Sequence, residues 1–257
     1  MILARLSRAI REQNWFAVAL EFLIVILGVV IGFQVTAWNA RQADLQRGQL
    51  YIERLSADLA ENRTRTESNI AFRTDVRALG LDALAFASGE RQPASSWDAV
   101  ATYFNASQSG SAYPVRSTYE EMLSTGDLRL IADLDLRNAL SVYYTEGALS
   151  EITDERPPYR AYVRTLIPIE LQDHIWDNCY TSGGGTGSQQ LRDCPPPEQA
   201  RDDIDALAAR LLNDERLNGE LRFWVSTQRA ALGIFSDQMA RTNSLLEALD
   251  RARENAP

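Results

Sequence analysis

The chain has 257 residues, of which 45 % are apolar and 24 % charged, and its net charge is −9. All 26 basic residues are arginines. Nucleic-acid binding needs clustered positive charge against phosphates, so a chain this acidic is a poor candidate for that class of partner. The length allows one domain of ordinary size with an appendage.

The first long apolar stretch runs from Trp15 to Trp38 and contains one charged residue, Glu21. As a helix it would measure roughly 36 Å, which is enough to cross a hydrocarbon core of ~30 Å with some tilt. Tryptophan at each end suits the two membrane interfaces. We predict an uncleaved transmembrane helix over residues 15–38, with the lipid bilayer as its surroundings. A cleaved signal peptide is the alternative, and the length of the apolar run argues against it.

The flanking charges predict an orientation. Residues 1–14 contain three arginines and the α-amino group, whereas Arg41 and Arg47 follow the span. Positive-inside counting makes residues 1–14 a cytoplasmic tail, and a long C-terminal domain translocates largely regardless of its own charge. We therefore expect a bacterial inner-membrane protein with residues 39–257 in the periplasm.

Four residues of the span fall near one line on a helix: Glu21, Val25, Gly28 and Gly32. The two glycines would let another helix approach closely, and the carboxyl group would face that helix instead of lipid. We interpret this line as an interface with another membrane protein or with a second copy of the chain. The alternative is a passive anchor in which Glu21 reaches the headgroups or stays protonated. A proton relay would need a second ionisable group in the span.

Beyond the span, the apolar periodicity predicts that the helix continues. No proline interrupts it, the apolar stripe fades over the polar residues 61–69, and it returns before a break at 87–96. Nowhere in the sequence do alternating β-branched residues predict strands. We therefore expect an all-α fold, a bundle of long helices with a smaller helical part in the middle.

Capping residues mark the shorter helices. Ser96 is the predicted N-cap of one helix, and Ser117 with Glu120 has the spacing of a capping box at the start of the next. Asp133 is the predicted N-cap of a helix that runs on to the prolines at 157–158. A further helix is expected to be broken by Pro168.

The C-terminal segment has the clearest helical periodicity, with steps of four and three residues. This C-terminal seam comprises Leu221, Val225, Gln228, Leu232, Phe235, Met239, Thr242, Leu246 and Leu249. We expect the seam to pack against the first outer helix of the same chain. A self-associating coiled coil is the alternative.

The two cysteines, Cys179 and Cys194, flank a glycine-rich segment. Outside the cytosol such a pair predicts a disulfide, which would contribute ~3 kcal/mol in the chain-entropy model. Two free thiols are one alternative. A metal pair completed by His174 is another, but it lacks a tight Cys-x-x-Cys spacing and a fourth ligand.

Motifs for catalysis are missing from the sequence. The only histidine, His174, has no nucleophile signature beside it, and no Walker loop, Rossmann glycine pattern or His-Glu-x-x-His occurs. The glycines at 183–187 are typical of a flexible linker. The acidic run at 202–205 suits a helix start. We therefore expect no enzyme activity, no cofactor and no metal.

The apolar helix ends in Gln34 and an Ala-Trp-Asn boundary, within residues 28–39. Residues 117–144 contain Tyr-Glu-Glu at 119–121, Ser-x-Gly at 124–126, Leu-Ile at 130–131 and Tyr-Tyr at 143–144. In these two stretches the chain resembles a large family of uncharacterised bacterial single-pass membrane proteins. The resemblance implies an N-terminal membrane anchor and a helical outer domain, and it implies no activity.

These observations lead to two hypotheses of different classes. The first is a non-catalytic accessory or scaffolding subunit that associates through its transmembrane helix and its outer helices. The second is a membrane-anchored periplasmic ligand-binding module, by analogy with helical sensor domains.

Overall fold

The computed structural model describes residues 15–110, 113–146, 157–182, 189–191, 194–198 and 201–254. The predicted tail at 1–14 and the glycines at 183–187 lie outside these ranges. Within them the predicted all-α class is confirmed. The α-helices are α1 Trp15–Ser88, α2 Ser96–Ala106, α3 Ser117–Thr125, α4 Leu134–Glu146, α5 Pro158–Leu166, α6 Ile169–Asn178, α7 Arg201–Asn213 and α8 Glu215–Glu254.

Three short elements complete the described part of the chain. A 3₁₀ turn spans Asp127–Leu130, and β1 Tyr180–Ser182 pairs with β2 Gln189–Leu191 in an antiparallel hairpin. The sequence did not predict this hairpin, because strands of three residues are too short to show an alternating pattern. The chain divides into two compact units, Met1–Leu50 and Tyr51–Pro257.

The second unit is organised around the part of α1 after residue 50 and around α8. A Cβ atom built on Gly80 would lie 2.5 Å from Val225 Cγ2 and 3.5 Å from Leu221 Cδ1. The two helix backbones therefore approach closely here, which only glycine permits. Earlier on α1, Arg73 Nη1 lies 3.1 Å from Gln228 Oε1, which is later on α8. The two helices are thus antiparallel.

Two hydrophobic clusters fill this unit. The first cluster joins the 51–59 part of α1 to α3, α4 and the end of α8. Its buried members are Tyr51, Leu55, Leu59, Tyr119, Met122, Ile131, Leu136, Leu140, Tyr143, Tyr144, Leu245 and Leu249. The second cluster joins α2, α5, α6, α7 and the start of α8 to the end of α1. Its largest fully buried side chains include Trp224, Tyr103, Tyr159, Phe104, Ile175 and Leu211.

Between the two clusters, α1 buries a series of polar side chains: Asn62, Thr66, Asn69 and Arg73. Asn62 forms two hydrogen bonds with the backbone of Val115, donating to its carbonyl at 2.9 Å and accepting from its N–H at 2.6 Å. Arg73 donates to the Gly110 carbonyl at 2.7 Å. This polar layer therefore holds Gly110 and Val115, which lie between α2 and α3, against α1.

The N-cap of α2 is Ser95, one residue before the predicted Ser96. Its hydroxyl accepts a hydrogen bond from the Asp98 backbone N–H at 3.1 Å. The Asp98 carboxylate in turn accepts from the Ala94 backbone N–H at 2.9 Å. With Ser96 as the N-cap, the third helical position would be Ala99. Its methyl side chain cannot accept a hydrogen bond from a backbone N–H that precedes the helix.

The predicted capping box of α3 is wrong. Ser117 is the first residue of the helix, and the N-cap is Arg116, which makes no side-chain cap bond. Glu120 instead pairs with the Arg116 guanidinium at 2.8 Å. The Ser117 N-cap is unnecessary because Asp58 of α1 accepts the Thr118 N–H at 3.2 Å.

The other predicted helix boundaries agree with the structure where it describes them. Asp133 Oδ1 accepts the N–H groups of Asp135 at 2.9 Å and Leu136 at 3.1 Å, as expected of an N-cap. Pro168 separates α5 from α6. The predicted extension of α4 beyond Glu146 falls on residues 147–156, outside the described ranges.

The close approach at Gly80 predicts that Gly80→Ala destabilises the protein. Overpacking against the stiff Val225 side chain costs ~1–3 kcal/mol, while the better helix propensity of alanine returns at most ~1 kcal/mol. We expect a net loss of about 1 kcal/mol in the free energy of unfolding, measured by urea denaturation. Gly219→Ala is the control, because no atom lies within 4 Å of a Cβ there. Equal stability of the two variants would contradict the close packing.

Candidate functional site

The part of α1 from residue 16 to residue 38, the apolar segment, is the most unusual surface of the described chain. Its large apolar side chains are exposed in every direction, with Phe16 at 76 % and Val25 at 59 % exposure. The helix is long and apolar enough to cross a membrane. A soluble monomer rarely exposes so large a contiguous apolar surface, so this segment is the first candidate for a binding surface.

The predicted interface residues lie on one side of this helix. Glu21, Val25, Gly28 and Gly32 are all exposed, and no atom lies within 4 Å of a Cβ built on either glycine. They form a shallow strip, here called the glycine strip. Thr36 extends the strip by one turn, and its hydroxyl donates to the Gly32 carbonyl at 3.0 Å. That polar group is therefore satisfied within the helix and needs no external partner.

The C-terminal seam lies inside the second unit. Six of its residues are buried, namely Leu221, Val225, Gln228, Phe235, Thr242 and Leu249. The other three, Leu232, Met239 and Leu246, are partly buried. The seam contacts α1 through the Gly80–Val225 approach and through the Arg73–Gln228 hydrogen bond. It also reaches α4, where the Thr242 hydroxyl lies 3.2 Å from the Tyr143 hydroxyl.

A polar network joins α1 to the Tyr-Glu-Glu motif of α3. The Tyr51 hydroxyl lies 3.2 Å from Glu121 Oε1 and 3.2 Å from Asp127 Oδ2. Arg54 forms two hydrogen bonds with Glu121, at 2.5 and 3.2 Å. These bonds to the guanidinium lower the pKa of the Glu121 carboxyl. Sequence reasoning missed this network, because its partners are 67 to 76 positions apart in the chain.

The tyrosines of the same motifs pack together. Tyr119 and Tyr144 stack with ring centroids 4.5 Å apart, and Tyr143 contacts Tyr144 edge-on at 4.9 Å. Burial raises the pKa of both Tyr143 and Tyr144, so their phenols stay protonated at neutral pH. Tyr119, Ile131, Tyr143 and Tyr144 of the motifs at 117–144 thus belong to the first cluster, where they serve packing.

Cys179 and Cys194 form a disulfide, with their Cα atoms 4.6 Å apart. The Trp97 indole N–H donates to the Cys194 carbonyl at 3.0 Å. His174 packs against the Trp97 ring with centroids 5.4 Å apart, and its Nε2 lies 2.8 Å from the Pro195 carbonyl. His174 therefore helps to hold the 194–198 segment against α2 and α6. Within the described ranges no three His, Cys, Asp or Glu side chains are grouped to hold a metal ion.

No protein-family model matches this chain, and neither the curated proteins nor the solved structures contain a match to it. The resemblance to uncharacterised single-pass membrane proteins therefore stays a prediction. Function has to be argued from the geometry of the described residues.

The disulfide predicts that denatured, non-reduced protein contains no titratable thiol. Reduction should expose two thiols and lower the free energy of unfolding by ~3 kcal/mol, because the bond closes a loop across a separation of 15 residues. Thiol titration in denaturant, before and after reduction, makes the comparison on one sample. Two thiols before reduction would contradict the bond.

Proposed function

We propose that this chain is a non-catalytic, single-pass inner-membrane protein that acts as an accessory or scaffolding subunit. In this proposal residues 15–38 span the bilayer, residues 1–14 stay in the cytoplasm and residues 39–257 lie in the periplasm. The observation that carries the proposal is the apolar segment, whose side chains are exposed on every side of the helix.

A bilayer would lower the free energy of the apolar segment. Each large apolar side chain gains ~1.5–3 kcal/mol when it leaves water, and the apolar segment has more than a dozen of them. All backbone hydrogen bonds of a helix are internal, so the same segment can enter lipid without unsatisfied polar groups. Lipid is therefore the environment that this surface fits best.

The orientation is supported by two independent features. Three arginines lie before the span, as the positive-inside rule expects of a cytoplasmic end. The Cys179–Cys194 disulfide lies after it, and such bonds persist in oxidising compartments such as the bacterial periplasm. Both features support a location of the second unit outside the cytoplasm.

The scaffolding role rests on the glycine strip. In lipid, helices associate by close packing and by polar contacts, because apolar side chains gain nothing from leaving lipid for a partner. Gly28 and Gly32 leave open space for a second backbone, and Glu21 on the same face offers a polar contact. The proposed partner is another membrane protein or a second copy of this chain.

The proposal predicts that bulk on the glycine strip disrupts a complex. Gly28→Leu combined with Gly32→Leu should release the protein from its partner, because the side chains fill the space into which the partner helix packs. Mild extraction from native membranes, followed by measurement of the intact mass of the complex, provides the readout. The control is Ala19→Leu, which adds similar bulk about 160° away around the helix.

The expected result is a complex for the parent chain and for the Ala19 variant, and a monomer for the double glycine variant. A parent chain that is extracted alone would contradict the scaffolding role. A double variant that keeps its complex would exclude the glycine strip as the interface.

A further inference from the structure

The second unit has a groove between the end of α1 and the start of α8, with a volume of about 810 Å³. Volumes of this size are typical of small-ligand sites. The groove is lined by the last two turns of α1, by Glu90 in the following turn, by the end of α7 and by the start of α8. The start of α8 contributes Glu215, Asn218 and Arg222. Neither the glycine strip nor any other part of the proposed interface contributes to it.

The charges of the groove are separated along its length. On α8, Glu215 precedes Arg222 by two helical turns, a rise of roughly 10.5 Å. Because α1 runs antiparallel to α8, its Leu81 lies toward the Arg222 end and Ser88 toward the Glu215 end. Glu90 follows the end of α1, so it adds a second carboxylate at the Glu215 end. The groove is therefore positive at one end and negative at the other.

These three charged side chains form no ion pair within the described part of the chain, and all three are exposed. Their charged neighbours do pair: Arg216 bonds Glu220 at 2.9 Å, and Arg91 bonds Asp82 at 2.6 Å. The groove thus keeps one cation and two anions unneutralised, while the surface beside it is paired.

The wall between the charged ends contains both apolar and polar side chains. Leu84 and Ala85 contribute apolar surface. Asn218 is held by two bonds, accepting from the Tyr103 hydroxyl at 2.7 Å and donating to the Leu212 carbonyl at 3.1 Å. The Tyr103 hydroxyl oxygen also lies 3.3 Å from the Ala83 carbonyl oxygen, so this side chain of α2 contacts both α1 and α8. These bonds hold the backbones of α1 and α8 beside the groove in place.

We propose that the groove binds a short peptide with free termini, about three residues long and extended. Its carboxylate would pair with Arg222, and its ammonium group with Glu90 and Glu215. Three extended residues span about 10–11 Å, close to the rise of roughly 10.5 Å between residues 215 and 222 of α8, whereas a single amino acid is much shorter. Arginine pairs with carboxylates through two parallel hydrogen bonds, which suits the capture of a C-terminus. This inference goes beyond the proposed scaffolding role and does not depend on it.

The test is calorimetric titration of the full chain in detergent with tri-alanine. Tri-alanine should bind, and N-acetylated tri-alanine, C-amidated tri-alanine and free alanine should each bind about tenfold more weakly, since each loses one charged contact. Arg222→Gln and Glu215→Gln should lower the affinity for tri-alanine by a similar factor. Arg229→Gln and Glu247→Gln are matched controls, because both residues are exposed on α8 outside the groove.

Three results would overturn the inference: no binding of tri-alanine at millimolar concentration, equal binding of the blocked peptides, or equal affinity in the groove and control variants. The double variant at Gly28 and Gly32 should bind tri-alanine like the parent chain. A failure of the scaffolding proposal and a failure of this inference are therefore separate results.

Discussion

The exposed apolar segment is the constraint on which the account depends. Water solvates such a surface poorly, and the described part of the chain buries none of the apolar window that could cross a membrane. A bilayer would remove this cost. The proposed orientation rests separately on the arginines before the span and on the disulfide after it.

The second unit has a different organising interaction, the antiparallel contact of α1 and α8. Gly80 permits the backbones to approach, and the two hydrophobic clusters form at either end of the paired helices. Between the clusters, the Arg73–Gln228 hydrogen bond joins α1 to α8, and Asn62 of α1 bonds the backbone of Val115. The buried Asn62 amide is satisfied only where it faces the backbone of Val115. A shift of α1 along this segment would leave the amide without hydrogen-bond partners. The polar layer therefore favours one alignment of α1 with α8 and with the Val115 backbone.

Local sequence signals predicted much of this fold. The absence of proline and an apolar stripe that fades and returns marked α1, Pro168 marked the break between α5 and α6, and the cysteine pair around a glycine-rich segment indicated the disulfide. Asp133 was recognisable as an N-cap because its partners are two and three residues away. Each of these features depends on residues that are close together in the chain, or on a residue type with a characteristic structural role, such as proline at a helix break or cysteine in a disulfide.

The features that were missed depend on distant partners. The polar stretch at 61–69 gave only a faded stripe in the sequence, yet Asn62 in it bonds to a segment 53 residues away. The Tyr51–Glu121 contact and the charged groove likewise need the antiparallel pairing before they exist. The Ser117 capping box had the right spacing, but Asp58 from α1 supplies the hydrogen bond at that helix start. At the start of α3, a tertiary hydrogen bond therefore takes the place of the local capping bond that the sequence predicted.

Whether the chain spans a bilayer can be tested by measuring its terminal sequence and its mass in alkali-washed membranes of its own cells. Alkali removes proteins that adhere to the surface and leaves those that span the bilayer. The account predicts that the chain stays in the washed membranes and still contains residues 15–38. A chain that is released by the wash, or one that begins near Trp38, would contradict the anchor.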